Sequence, residues 1–294
     1  MKTLLILVFL SLSNLFWLPN GFGQQNYFNP NRGSLFYQKG HGDARIFSNY
    51  FREFRGLVGG DVDQVFWSVY PEFMYGLNEH FNIGARLKLR SVVKASQLSF
   101  LEPLNQKSTQ FLDYRKTALS SLQIVLRHSI GTKWTAQHAV GIATGKNLSQ
   151  NGFVDWDGFT WQTQFFNDLH IGSWRLFSDI GFLSENINSD LFSNEKSHYF
   201  QNSFPINFLP GILFLQRHYI YSLINYTPQW IIKRKIRING DTYIDHDFSS
   251  YFQLGIAYKY FYRSWEFEGL LTLFKVLDDN QFAHTSNFGI RKYF

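Results

Sequence analysis

Several groups of side chains in this sequence have the types and spacing to do chemistry. His284 and Ser286 stand two apart in the run His284-Thr285-Ser286-Asn287. In an extended chain that spacing puts both on one face, within reach for an imidazole to take a proton from a hydroxyl nucleophile. Arg86, Lys88 and Arg90 alternate in the same way and would line up three positive charges, a rung that draws anions. Asp168 and His170 share a face and suit a structural pair. Two acidic runs are weaker: Asp155, Asp157 and Gly158 have calcium-loop spacing without the remaining ligands, and Asp245-His246-Asp247 reads as a solvated loop tip. The chain has no Cys, which excludes thiolate catalysis, thiolate metal sites and disulfides. No metal and no cofactor is expected.

These residues need a scaffold of extended chain, and the sequence supplies a regular one. Period-two runs bounded by Gly, Asn, Asp and Ser fall at 43–54, 64–76, 81–95, 118–130, 133–144, 159–172, 174–185, 203–214, 218–231, 249–261, 265–277 and 282–294. That makes about twelve strands, although ten or fourteen fit the same beat. The connections alternate in length. Those after the second, fourth, sixth, eighth and tenth strands are tight, as at Gly131-Thr132 and Ser173; the others are mostly long and polar, as at 96–117, 145–158, 186–202 and 232–248. A two-layer sandwich has no reason to sort its loops by parity.

The faces of these strands are equally divided. Phe81, Ile83, Leu87 and Leu89 oppose Asn82, Arg86, Lys88 and Arg90; Leu254, Ile256 and Tyr258 oppose Gln253, Gly255 and Lys259. By the same count the polar face takes the basic residues Arg127, Arg175 and Arg291. It also takes the acidic residues Glu72, Asp168, Asp179, Glu266 and Glu268. Both signs are present, so a lattice of compensated ion pairs competes with an open anion path as the reading of that face.

The first 23 residues, with Lys2, the apolar run Leu4 to Leu10 and the small residues Gly21-Phe22-Gly23, read as a cleaved secretory signal peptide. Residues 24–42 then form a periplasmic lead-in, and 43–294 the strand domain. The chain is rich in rings, with 32 Phe, 16 Tyr and 8 Trp among 294 residues. A soluble protein would need a very large core to hide them, whereas lipid accepts them on the outside. The net charge of +6 is dispersed, with no polybasic run, so no nucleic-acid partner is expected.

The last strand alternates Phe288, Ile290 and Phe294 with Asn287, Gly289, Arg291 and Tyr293, and it ends on the aromatic Phe294. With the export signal, this resembles the closing strand of bacterial outer-membrane β-barrel proteins. The resemblance implies an all-β, closed antiparallel transmembrane β-barrel with both termini in the periplasm. It also implies location in the bacterial outer membrane, contact with its lipids, and a terminal strand read by the barrel-insertion machinery. No one characterised family is indicated. The element His284-x-Ser286-Asn287 is similar to that of outer-membrane phospholipase A and lipid A deacylases, and by alternation it faces lipid near the outer leaflet. Only ten residues follow His284, leaving no downstream strand for a third catalytic partner, and Phe288 replaces the Gly that often follows Asn. The balance is against an enzyme.

A barrel of this kind implies porin-like transport of small hydrophilic solutes, anions included, past Arg86, Lys88 and Arg90. The alternatives are a non-transporting barrel serving a surface or secretion complex through loop tips such as Phe153, Trp156, Tyr199 and Tyr243, and a lipid hydrolase using His284 and Ser286.

Overall fold

The computed structural model describes residues 36–54, 63–95, 112–131, 133–145, 148, 155–187, 199–215, 217–236, 242–277 and 282–294. The expected signal peptide, the lead-in up to residue 35 and the loop tip Phe153 lie outside them. The described residues form thirteen strands and no helix. They are β1 (Gly42–Phe54), β2 (Asp63–Gly76), β3 (Phe81–Ala95), β4 (Leu112–Ile130), β5 (Trp134–Ala143), β6 (Phe159–Ile171) and β7 (Trp174–Ile187). There follow β8 (Tyr199–Ser203), β9 (Ile206–Phe214), β10 (His218–Ile236), β11 (Thr242–Tyr262), β12 (Trp265–Val276) and β13 (Phe282–Tyr293).

Sequence neighbours pair antiparallel, and β13 returns to β1 from Asp43↔Tyr293 to Phe54↔Phe282, which closes the sheet. β8 and β9 share one place in the ring, because both lie between β7 and β10. The register passes through their break unshifted, with Leu183 opposite Ser203 and Ile180 opposite Ile206. The break falls at Pro205, which has no N–H to give to the ladder. Its carbonyl still accepts from Gly181 N at 2.8 Å, and Phe204 N donates to Pro228 O at 2.9 Å. The fold is therefore a closed antiparallel barrel of twelve places.

Tight turns and the two ends of the barrel share one rim. Gly42 N donates to Phe294 O at 3.0 Å and Phe294 N donates to Gly42 O at 3.1 Å. The connections at 77–80, 131–133, 172–173, 215–217 and 263–264 all lie at that end. The two-residue turn at Gly172 needs a positive φ, and Gly172 adopts 60°.

Three strands run further than alternation indicates. β4 begins at Leu112, and the β10–β11 ladder continues to Ile236↔Thr242. The expected loop at 232–248 is thus a hairpin extension, and Asp245, His246 and Asp247 are strand residues opposite Lys233, Ile232 and Ile231. The physical reason is that backbone pairing does not need an apolar face. Where a strand rises beyond lipid, the side-chain pattern fades while the ladder goes on.

Outward side chains form an apolar band around the ring, including Ile46, Ile124, Phe165, Ile256, Leu271 and Phe288, all exposed. Rings gather at the turn rim, where Trp134, Trp174 and Trp265 each open the strand after a tight turn. There too Phe294 stacks on Phe73, with centroids 5.6 Å apart. Such girdles mark membrane–water interfaces.

Ile256 and Leu271 face each other across β11 and β12 in that band, each 61 % exposed. Leu271→Arg is expected to lower the stability of the folded barrel by roughly 2–4 kcal/mol near the midplane. Urea-dependent folding into lipid vesicles, read by heat-modifiable gel migration, measures this. Gly269→Ala, whose added Cβ meets nothing within 4 Å, should leave the transition in place.

Candidate functional site: the barrel lumen

Strand alternation sends the polar face inward, and register decides which charges meet. Arg45 and Arg86 sit opposite Glu72 on its two neighbouring strands. The Arg45 Nη2 atom lies 2.6 Å from Glu72 Oε1, Arg86 pairs with Glu72 Oε2, and Arg127 Nη2 lies 3.9 Å from Oε1. One carboxylate thus holds three guanidinium groups. The chain of contacts continues round the wall, as Arg127 Nε donates to Gln137 at 2.6 Å and Gln137 donates to Gln164 at 3.1 Å.

Towards the loop rim a second anion does the same work. Asp155, on the connection from β5 to β6, is buried in the barrel. Its carboxylate lies 2.8 Å from Lys88 Nζ and 3.6 Å from Arg90, and Arg90 also lies over the Phe66 ring at 4.5 Å. A β-bulge at this level leaves Ser120 without a partner on β3, and its hydroxyl donates to the Lys88 carbonyl at 3.1 Å. Burial opposes charge on Asp155, but Lys88 and Arg90 outweigh it and hold the carboxyl below the ordinary range. Asp157 accepts from Leu148 N at 2.5 Å, so both loop carboxylates are engaged within the protein.

The segment before β1 enters the lumen from the turn rim. Phe36 and Tyr37 are fully buried, and Tyr37 packs against Met74, Val125, Ala139 and Tyr293. Its backbone is fixed by Asn82, which accepts from Tyr37 N at 2.9 Å and donates to Tyr37 O at 3.0 Å. Tyr37 therefore occupies the side of the lumen formed by β13 and β1 to β5.

The opposite side holds open space. A cavity of about 220 Å³ lies among β6, β7 and β9 to β13, with Arg45 reaching in from β1. Its wall at β12 and β13 is an ion network. Arg291 lies 2.9 Å from Asp43 and 3.3 Å from Glu266, while Lys259 lies 3.1 Å from Glu266 and 3.3 Å from Glu268. Tyr221 donates to Glu268, and Tyr293 donates to Glu266. On the other wall Asp168 pairs with His170 Nε2 at 2.9 Å, and Arg175 lies over the Tyr219 ring at 5.9 Å. Gly211 makes this possible: it sits opposite both Arg175 and Tyr221, and a Cβ there would meet the Tyr219 ring at 2.6 Å.

Solved structures of this shape exist. Over 85 % of its length the chain matches 95 % of an outer membrane channel from Pseudomonas putida F1, at 11 % identity and a TM-score of 0.51. It matches 99 % of the beta domain of the Bordetella autotransporter Brka over 85 % of its own length, at 7 % identity and the same TM-score. This is the fold of the bacterial outer-membrane β-barrels. No family model and no curated protein matches the chain.

Within that barrel, His284 and Ser286 sit on the outer face of β13, opposite Leu273 and Leu271 of β12. The His284 ring lies against Tyr50, with centroids 6.1 Å apart. Among the described residues no hydrogen bond joins His284 to Ser286, so the base–nucleophile contact is not made. Asp179 lies inside, accepting from Asn207 at 2.8 Å, and Asn225 in turn donates to Asn207 at 2.7 Å.

Arg45, Asp43 and Lys259 occupy polar-face positions that alternation alone could have added to the candidate residues. Tyr37 and Asp155 carry no such signal, because they reach the lumen from outside the strands.

Glu72→Gln should be costly, since it leaves Arg45, Arg86 and Arg127 together without their shared carboxylate. Losing one member of a buried ion network typically costs roughly 3–5 kcal/mol. Urea titration of the folded barrel should show a loss in that range, partly recovered in the double variant Glu72→Gln, Arg45→Gln. Equal stability of Glu72→Gln and the parent would show that the lattice is not what holds the lumen.

Proposed function

We propose that this protein resides in a bacterial outer membrane and passes small polar solutes along the β6–β12 side of its lumen. The observation that carries this reading is the cavity there, lined by charged groups and tyrosines, in a barrel whose other side takes up Tyr37. The apolar band on the exterior supports the location, and the channel from Pseudomonas putida is a protein of this shape that serves passage. The route differs from the one that the basic row in the sequence suggests. Arg86, Lys88 and Arg90 are held by Glu72 and Asp155, so they brace the wall on their side of the lumen, and the reading here places passage beside the cavity instead.

The ion pairs tie Asp155, on the β5–β6 connection, to Lys88 and Arg90 of β3, which makes them the restriction at that rim in this reading. A second reading, a non-transporting barrel that partners a surface complex, draws on the same filling of the lumen by Tyr37 and Asp155.

Single-channel recording in planar bilayers separates the two. The parent protein should give small, reproducible conductance steps, and Asp155→Asn should raise conductance or open time severalfold. Absence of steps from both proteins would leave the non-transporting reading in place. The pH dependence follows from the depressed carboxyl of Asp155. A lowered folded pKa contributes stability above the ordinary carboxylate range and loses it as pH falls through the folded value. The tie should therefore hold from pH 7 to pH 5 and yield only in stronger acid, with conductance rising there in the parent and not in Asp155→Asn.

A further inference from the structure

We infer that the lumen cavity is a binding site for a small hydroxylated monocarboxylate, with Arg175 receiving the carboxylate group. The inference rests on the proposed passage of solutes only in that the ligand must reach the lumen. The binding itself is argued from the charges of the cavity.

Four cations, Arg45, Arg175, Lys259 and Arg291, and three carboxylates, Asp168, Glu266 and Glu268, line the space. Three of the cations have carboxylate partners. Arg45 is held by Glu72 at 2.6 Å, Arg291 by Asp43 at 2.9 Å, and Lys259 by Glu266 at 3.1 Å. Arg175 differs. Among the described residues no carboxylate lies within ion-pair distance of it, and its contact is the face of the Tyr219 ring at 5.9 Å. A ring face compensates a guanidinium only weakly. Opposite Arg175 stands Gly211, which has no Cβ and lets the Tyr219 ring lie close over the wall beside the guanidinium. A planar guanidinium with open donors matches a carboxylate in two-point geometry.

The remaining groups say what else the ligand carries. With Arg45, Arg291 and Lys259 already engaged by carboxylates, Arg175 is, among the described residues, the one lining cation left for a ligand anion, which favours a single carboxylate over two. Asp168 and Glu268 stand nearby as acceptors, and Tyr219 and Tyr221 stack at 5.2 Å to give a flat wall. Acceptors beside an anion site disfavour a second negative group and favour hydroxyl donors. The volume of about 220 Å³ is below the ~300–1,000 Å³ of ordinary small-molecule pockets, which restricts the occupant to the size of one sugar acid.

The test uses the full folded barrel in detergent, with gluconate as probe and glucose as its uncharged counterpart. Isothermal titration at constant ionic strength, balanced with chloride, should show saturable gluconate binding at least tenfold tighter than glucose binding. Arg175→Gln should weaken gluconate at least tenfold and leave glucose unchanged, and Arg175→Lys should recover part of the loss. Arg263→Gln, on a rim turn outside the cavity, should bind as the parent does. Equal binding of gluconate and glucose by the parent overturns the inference even if every variant fails to fold, and so does undiminished gluconate binding by folded Arg175→Gln. Bilayer recordings keep the two proposals apart. Conductance without gluconate preference overturns the site alone, whereas gluconate binding without conductance overturns passage alone.

Discussion

Inside lipid, each backbone N–H and C=O must find its partner within the protein, because no water is present to take its place. A sheet meets that demand only when its first and last strands pair, and here β1 and β13 pair along their whole length. The rest of the architecture depends on this closure. It fixes an even number of strand places and brings both ends of the barrel to one rim. It also turns every period-two strand into an element with one lipid face and one enclosed face. The hydrogen bonds between Gly42 and Phe294 complete the seam at the last residue of the chain.

Closure also determines the energetics of the interior. Charges that alternation sends inward cannot be dispersed over a surface; they meet in a narrow space at distances set by register. Unpaired, they would be costly, and the observed solution is sharing. Glu72 serves three arginines, Asp155 serves Lys88 and Arg90, and Glu266 serves Arg291 and Lys259. The side of the lumen near β1 to β5 is further filled by Tyr37. What marks the opposite side is a cavity lined by two stacked tyrosines and by Arg175, which lies over one of them.

Local pattern carried the scaffold. Period-two alternation located the strands from Gly42 to Tyr293, and the parity of loop lengths indicated that tight turns share a rim with the chain ends. Alternation failed where strands outrun lipid, as at Leu112 and along 232–248, because the ladder there persists without a face to bury. The row Arg86, Lys88 and Arg90 was visible as inward charge, but the carboxylates that hold it lie on a neighbouring strand and on a distant loop. The pair His284 and Ser286 shares a face by spacing, yet shared facing is not contact, and the imidazole rests on Tyr50.

The sequence by itself determined which side of each strand meets lipid, that the sheet must close, and that both signs of charge are enclosed, because these follow from residue type and a period of two. Only the tertiary structure decided which charges neutralise one another, that Tyr37 and Asp155 enter the lumen, and that Arg175 is left facing a cavity. Those outcomes depend on register around the ring and on segments folding inward from its rims. Neither is encoded in the spacing of neighbours along a single strand.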